Sequence, residues 1–246
     1  MADIIMIGSG HRMANGFQSQ NLLLATLPPA DFELMRPNLQ TIDLPSGSTL
    51  IESGEVPTRA YFPHSGVIAS IVSLSSGRVV EVRITGREGV IGAVTGTGPC
   101  ASFTSAVVRI QGKCSVIDHP SFQTAFNRSQ SLRSLLARQE AVQQAMADQS
   151  VACNAAHDLE ARLARRLLRL CTMSGQTEFT ATQEVLAEML GVQRNAISHV
   201  AHGLREMNVI DYSRGLLKIV DFDRLHSLSC ECYDTVTAYR AALQGD

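Results

Sequence analysis

Five polar residues, Arg194, Asn195, Ser198, His199 and His202, recur at steps of one, three and four. On a helix that spacing puts them on one broad face. A guanidinium can fork onto the O6 and N7 edge of guanine, and a carboxamide onto the N6 and N7 edge of adenine. Ser198 and His202 add donors for bases or backbone. Thr182 and Gln183 stand at what reads as the first turn of a preceding helix, where side chains and free N–H groups suit a phosphate. As ordinary solvated surface residues, His199 and His202 would need no partner at all.

These groups act together only if two helices hold them at a fixed angle. The pattern over residues 180–204, TATQEVLAEMLGVQRNAISHVAHGL, supplies that frame. Val185, Leu186, Met189 and Leu190 form the apolar stripe of a helix over about 182–190. Thr180 with Gln183 suits a capping box. Gly191 offers the turn, where positive φ is cheapest. Ile197, Val200 and Leu204 face inward on a second helix over about 194–207, and Ala187 lies where the two cross. This is the helix-turn-helix pattern, whose second helix enters a major groove. Ile210-Asp-Tyr and Leu216-Leu-Lys-Ile-Val flank Ser213-Arg214-Gly215 as a hairpin, which makes a winged helix.

Charge argues the other way. The chain of 246 residues carries a formal net charge of −2, and residues 177–221 hold four Lys/Arg against six Asp/Glu. The basic density lies upstream at Arg162, Arg165, Arg166 and Arg169. Affinity for DNA must then rest on a few placed cations and helix N-termini. A module whose winged helix contacts protein is the alternative, and the acidic balance favours it.

Further chemistry is sparse. No HExxH, GxSxG, P-loop or paired-carboxylate constellation stands out, so the chain is not expected to be an enzyme. The six cysteines form no CxxC pair. Cys230 and Cys232 with His226 could be drawn as a metal site, but i, i+2 residues do not face each other on a helix. No metal and no cofactor is expected. No run of about eighteen apolar residues exists to span a membrane, and the N-terminus lacks the features of a signal peptide. A cytoplasmic protein is expected.

Upstream, residues 1–20 show no period and read as a mobile segment. Residues 21–27 and 29–36 read as short helices. From 40 to 118 the texture is short strands punctuated by glycine: TIDL, TLIES, RAYF, GVIASIVSL, VVEVRI, SAVVRI and CSVID. Strands at this spacing without helices between them argue for an antiparallel sandwich or roll. Val79, Val80, Val82 and Ile84 alternate with Glu81 and Arg83 in their latter part, as if one face were buried and one wet. Helical pattern then runs from about 120 to 173, with a bend near 154–158. Within it Leu132, Leu135, Gln139, Val142, Met146, Gln149 and Cys153 alternate at steps of three and four, a coiled-coil seam. The seam reads as the contact between two copies of the chain, with Cys153 facing its mate. A helix packed along its own β domain is the competing reading. A closing helix is expected over about 221–243, carrying Leu225, Leu228, Val236 and Tyr239.

Three stretches in this order resemble the Crp/Fnr family of transcription factors: PSGSTLIESGE at 45–55, ARLARRLLRL at 161–170, and TQEVLAEMLGVQRNAISHVAHGLREMNVI at 182–210. The resemblance implies an α+β chain. It would have a β-roll sensory domain over 21–130, a dimerisation helix over 131–156 and a winged-helix DNA-binding domain over 157–246. It implies a homodimer on two-fold symmetric double-stranded DNA, with RNA polymerase as a further partner. Where cyclic-nucleotide-binding members carry a Glu and an Arg for ribose and phosphate, this chain has Ala93 and Thr104. Cyclic AMP is therefore not expected by that route. Gly92, Ala93, Thr95, Thr104 and Ser105 remain candidates to line a pocket for a less charged effector, or simply end strands. In the recognition helix Arg194 keeps a family contact, while Asn195 replaces a Glu and His199 an Arg. The half-site should differ from the family's usual one.

Overall fold

The computed structural model describes residues 19–93 and 100–244. The segment 1–20 thus lies almost wholly outside the described residues. Two short helices open the chain, α1 (Leu22–Ala25) and α2 (Pro29–Glu33). Asn21 caps α1 by accepting from the Leu24 N–H at 3.0 Å, and its amide donates to the Pro63 and Gly89 carbonyls. A buried carboxamide satisfied in this way ties α1 to the β domain. Helix α2 stops short of residue 36, giving way to a 3-10 turn over Arg36–Asn38. Pro37 disfavours helical backbone in the residue before it and donates no N–H.

All seven expected strands form: β1 (Gln40–Leu44), β2 (Thr49–Ile51), β3 (Arg59–Pro63), β4 (Val67–Ser73), β5 (Val79–Thr85), β6 (Ser105–Ile110) and β7 (Gly112–Asp118). They make two antiparallel sheets ordered β1-β7-β3 and β2-β6-β4-β5. Leu44, Ile51, Ile68, Val108 and Val116 fill the space between them. Alternating apolar positions drive that closure, since each sheet must bury one face.

Strand β5 departs from the expected pattern. Ser70 pairs with Arg83 and Ile71 with Glu81, so Val82 is left unpaired as a bulge. An extra residue in one strand exchanges the faces of everything beyond it. Val82 is 43% exposed whereas Glu81 is 5% exposed. The simple reading of valines in and charges out fails here because the inward face meets arginines.

Helices α3 (His119–Arg128), α4 (Gln130–Ala156) and α5 (Leu159–Ser174) follow. Ser129 in extended backbone separates the first two and caps α4, accepting from the Leu132 N–H at 2.9 Å. His157 and Asp158 form the bend expected at 154–158, and Asp158 caps α5 through the Ala161 N–H. The α4 stripe is corrected by its burial. Leu132 and Leu135 pack on Phe62, Ile117 and Phe122 of the β domain. Gln139 and Val142 are buried, Met146 accepts from Arg169, and Gln149 donates to Cys232. Cys153 is fully buried against Cys230, 3.5 Å away in the same chain. It therefore does not face a two-fold mate. An apolar helix stripe is covered by whatever surface lies nearest, and here that is its own chain.

The C-terminal unit comprises β8 (Glu178–Thr180), α6 (Gln183–Leu190), α7 (Arg194–Glu206), β9 (Ile210–Ser213), β10 (Leu216–Ile219), α8 (Phe222–Leu228) and α9 (Cys232–Gln244). Its sheet is ordered β8-β10-β9. The expected closing helix is two helices, interrupted at residues 229–231, with Leu225 and Val236 buried and Tyr239 exposed. Leu163, Leu167 and Leu170 of α5 share one core with Leu186 and Leu190 of α6 and with Val67, Ala69 and Ile84 of the roll. The winged helix is thus packed directly on the β domain.

Candidate nucleic-acid interface

Thr182, rather than Thr180, caps α6, its hydroxyl accepting from the Val185 N–H at 3.2 Å. Thr180 ends β8, a strand that the local pattern does not reveal. Gly191 turns the chain at φ +65°, and α7 begins at Arg194 as expected. Leu186, Ala187 and Leu190 of α6 bury against Ile197, Ala201 and Leu204 of α7. That leaves the opposite face of α7 to solvent.

Gln183 joins the two helices across that face. Its carboxamide oxygen accepts from the Arg194 Nε–H at 3.1 Å and from the Ser198 hydroxyl at 2.9 Å. Arg194 also pairs with Glu184 at 2.8 Å. An open groove runs between α7 and the wing, lined by Thr182, Gln183, Arg194, Ser198 and His202 among the expected residues. Asn195 and His199 are exposed but lie outside the groove lining. His202 pairs with Glu206 one turn on, at 3.4 Å.

The groove adds residues that the opening set omits, chiefly Arg205, Tyr212 and Arg214. Arg205 lies three residues beyond His202, so helical spacing could have found it. Arg214 sits in the β9–β10 turn at φ +52°, followed by Gly215 at φ +78°. Two successive positive φ values match the twist of a tight hairpin. Glycine or asparagine takes the first position at less cost, about 1 kcal/mol or more in favour of a residue tolerant of that backbone. An arginine there puts a cation on the rim.

Charge is sorted by face. Three arginines line the groove against one carboxylate, Glu184. Glu188 turns away to pair with Arg109 of β6. The acidic balance of the segment therefore does not describe the groove itself, where the cations gather. The upstream arginines do not serve the groove either. Arg165, Arg166 and Arg169 are buried on α5. Arg162 donates to the Leu190 carbonyl at 2.7 Å, and Arg78 of the roll to the Gly191 carbonyl at 2.8 Å. Two cations thus meet the C-terminus of α6, where the helix dipole favours them.

Beneath α6, Glu81 accepts from both Arg166 and Arg109. Burial, and then the neighbouring Arg169, lower Arg166 to about 9. Burial lowers Arg169 to about 10, against the opposing charge of Glu88. Both stay protonated at neutral pH, and Glu81 answers the charge with its own.

The candidate effector residues are dispersed among different supports. Gly92 has φ +76°, and a side chain there would meet the Arg59 carbonyl. Ala93 packs against the core that holds Leu23 and Phe32. Ser105 donates to Glu52 at 3.2 Å and accepts from the Ser53 N–H at 3.0 Å, and the Thr104 carbonyl accepts from Ser102. Thr95 lies outside the described residues.

The chain matches the family model of a cyclic nucleotide-binding domain over residues 41–129 and that of a Crp-like helix-turn-helix domain over residues 161–228. No curated protein matches by sequence. Among solved structures it is similar to FixK2 from Bradyrhizobium japonicum, at 17% identity and TM-score 0.64, covering 78% of this chain and 98% of that one. It is similar to the c-di-GMP responsive global regulator CLP of Xanthomonas campestris, at 15% identity and TM-score 0.64, covering 78% and 99%. A transcriptional regulator of the CRP/FNR family from Thermus thermophilus is 22% identical with TM-score 0.63, covering 77% and 98%.

Proposed function

The chain belongs to the Crp/Fnr family of transcriptional regulators, and from that premise we propose a homodimer that reads a two-fold symmetric site in double-stranded DNA. Regulators of the family bind DNA and act as dimers. The observation that carries the finer reading is the groove in which Arg194, Arg205 and Arg214 converge from the recognition helix and the wing. Arg194 and Asn195 read base edges, while Arg205, Arg214, Thr182 and Gln183 hold phosphates. In this reading Arg194 exchanges Glu184 for DNA. His199 and His202 extend the contact along α7, and Ser198 keeps Gln183 in place.

The sensory domain spans 21–130, the dimerisation helix 131–156 and the DNA-binding domain 157–246. Pairing uses the outward face of α4. Ser134, Ala137, Ala141, Gln144, Asp148, Val151 and Ala155 keep the period of the buried stripe, two residues along, and all are exposed. Val151 is 71% exposed, and the small neighbours let two backbones approach. The domain takes no cyclic nucleotide by the usual phosphate contacts. A phosphate beside Ser105 would meet the carboxylate of Glu52, a like charge at close range. The same reading makes the protein a cytoplasmic regulator without catalytic activity, with RNA polymerase as a second partner. No described helix is long and apolar enough to cross a membrane.

The test is selection of bound sequences from a random pool by the full chain, followed by titration of the winning site at several salt concentrations. The expected result is a two-fold site of about two helical turns and a steep fall of affinity with salt. Arg194→Ala should cost about 1–3 kcal/mol and relax preference at one base pair in each half-site. Binding indifferent to sequence, in both the parent and the variant, overturns the reading.

A further inference from the structure

Where α4 ends, four soft donors converge from three segments of the chain. Cys153 and His157 lie four residues apart and so share a face at the end of α4. Cys230 lies between α8 and α9, and Cys232 opens α9. Their three sulfurs and one imidazole nitrogen all lie within 4.8 Å of one another. The Cys153 and Cys230 sulfurs are 3.5 Å apart, and Cys232 Sγ is 3.6 Å from His157 Nδ1. The interruption of the closing helix makes this possible: Cys230 lies outside helix, so the two cysteines do not diverge as they would along one. His226, the imidazole that stands nearest in sequence, is engaged by Asp234 at 3.0 Å instead.

We propose that Cys153, His157, Cys230 and Cys232 bind one tetrahedral cation of the zinc class. Zinc holds thiolate sulfur at about 2.3 Å, which sets neighbouring sulfurs of a tetrahedron about 3.8 Å apart. The observed spacings need only small side-chain adjustments to reach it. A bridged iron–sulfur cluster would spread its thiolates over different irons, farther apart than these atoms lie. Three sulfurs and one imidazole also disfavour calcium and magnesium, which take oxygen.

The surroundings are those of a ligand shell. His157 Nε2 lies 3.2 Å from a Glu231 carboxylate oxygen, which selects the tautomer that turns a free Nδ1 toward Cys232. Gln149 Nε2 donates to Cys232 Sγ at 3.0 Å, a bond that strengthens to a thiolate. Arg165 stands near enough to Cys153 to interact with its charge, and would offset part of the negative charge of three thiolates. Bound there, the cation would clamp α9 to the bend between α4 and α5.

The full chain, purified without chelator in the presence of a phosphine reductant, is analysed for metals and then titrated with cobalt(II) after zinc removal. About one zinc per chain is expected, with the intense visible bands of tetrahedral cobalt and thiolate-to-cobalt charge transfer. Cys232→Ser should weaken the charge-transfer band, which then comes from Cys153 and Cys230 alone, and His226→Ala should leave it unchanged. His157→Ala should shift the visible bands while retaining charge transfer. Should a cysteine variant fail to fold, the cobalt spectrum of the parent and its reversal by zinc decide the matter. The proposal is overturned if cobalt gives only the weak spectrum of six oxygen ligands, or if iron and sulfide are recovered in place of zinc. It is equally overturned if chain purified without reductant and then unfolded shows two fewer titratable thiols than its six cysteines because Cys153 and Cys230 are joined.

Discussion

Two sets of arginines lie on opposite sides of the same small domain. Arg194, Arg205 and Arg214 are exposed along the groove, and only Arg194 has an acidic partner among those lining it. Arg166 and Arg109 lie on the other side, sharing the buried carboxylate of Glu81, with Arg109 reaching on to Glu188 of α6. The first set can trade a solvated partner for a phosphate at little cost, because water screens both states. The second cannot lose its partner without leaving a buried charge uncompensated. One side of the winged helix is therefore free to bind and the other is held to the β-roll. Where a charge lies, more than how many there are, sets its role.

The contrast can be broken most severely at Glu81. Glu81→Ala should destabilise the chain by about 3–5 kcal/mol, read as a lowered urea midpoint. Replacing Glu81 and Arg166 together by Leu and Met should recover most of that loss. A loss under about 1 kcal/mol for the single change would show that the buried set is no different from the exposed one.

On the other side, Arg214→Ala should weaken binding uniformly across DNA sequences and reduce the slope of log affinity against log salt by about 1, with the urea midpoint unmoved. A change in sequence preference would instead make Arg214 a base reader. Thr182→Ala removes an N-cap and should cost about 1 kcal/mol of stability, measured by thermal melting of the free protein. The smallest effect is expected at Glu184. Glu184→Gln removes an exposed pair and should alter stability by less than about 1 kcal/mol, while raising DNA affinity slightly by freeing Arg194. Lower affinity would mean that Glu184 positions Arg194 rather than competing for it.

Local sequence carries the helix-turn-helix well because its signals are local. Gly191 at the turn, Ala187 at the crossing and the Ser213-Arg214-Gly215 hairpin each fix their own backbone. Strand β8 is invisible in the sequence since Glu178–Thr180 becomes a strand only by pairing with β10, far along the chain. The α4 stripe shows the other limit. Period identifies a buried face but not what buries it, and Leu132 through Cys153 are covered by the roll and α9. In the same way, spacing cannot link Cys153 and His157 with Cys230 and Cys232, because the fold closes more than seventy residues between them. Charge totals mislead for a related reason: Glu188 and Arg166 turn to Arg109 and Glu81 instead of facing the groove.

The unpaired residue at Val82 carries a consequence for how this arrangement could change. Docking of the winged helix depends on Glu81 pointing inward, and Glu81 points inward because strand β5 is one residue longer than its partner requires. That is a difference of length, not of side-chain type. Point substitutions at the contact would leave the inward direction intact, whereas one residue inserted between Ser70 and Ile71 would give Val82 a partner, restore strict alternation and turn Glu81 to the outer face. A single insertion in a hairpin would thus convert a clasped domain into an unclasped one, in one genetic step and with every original residue retained.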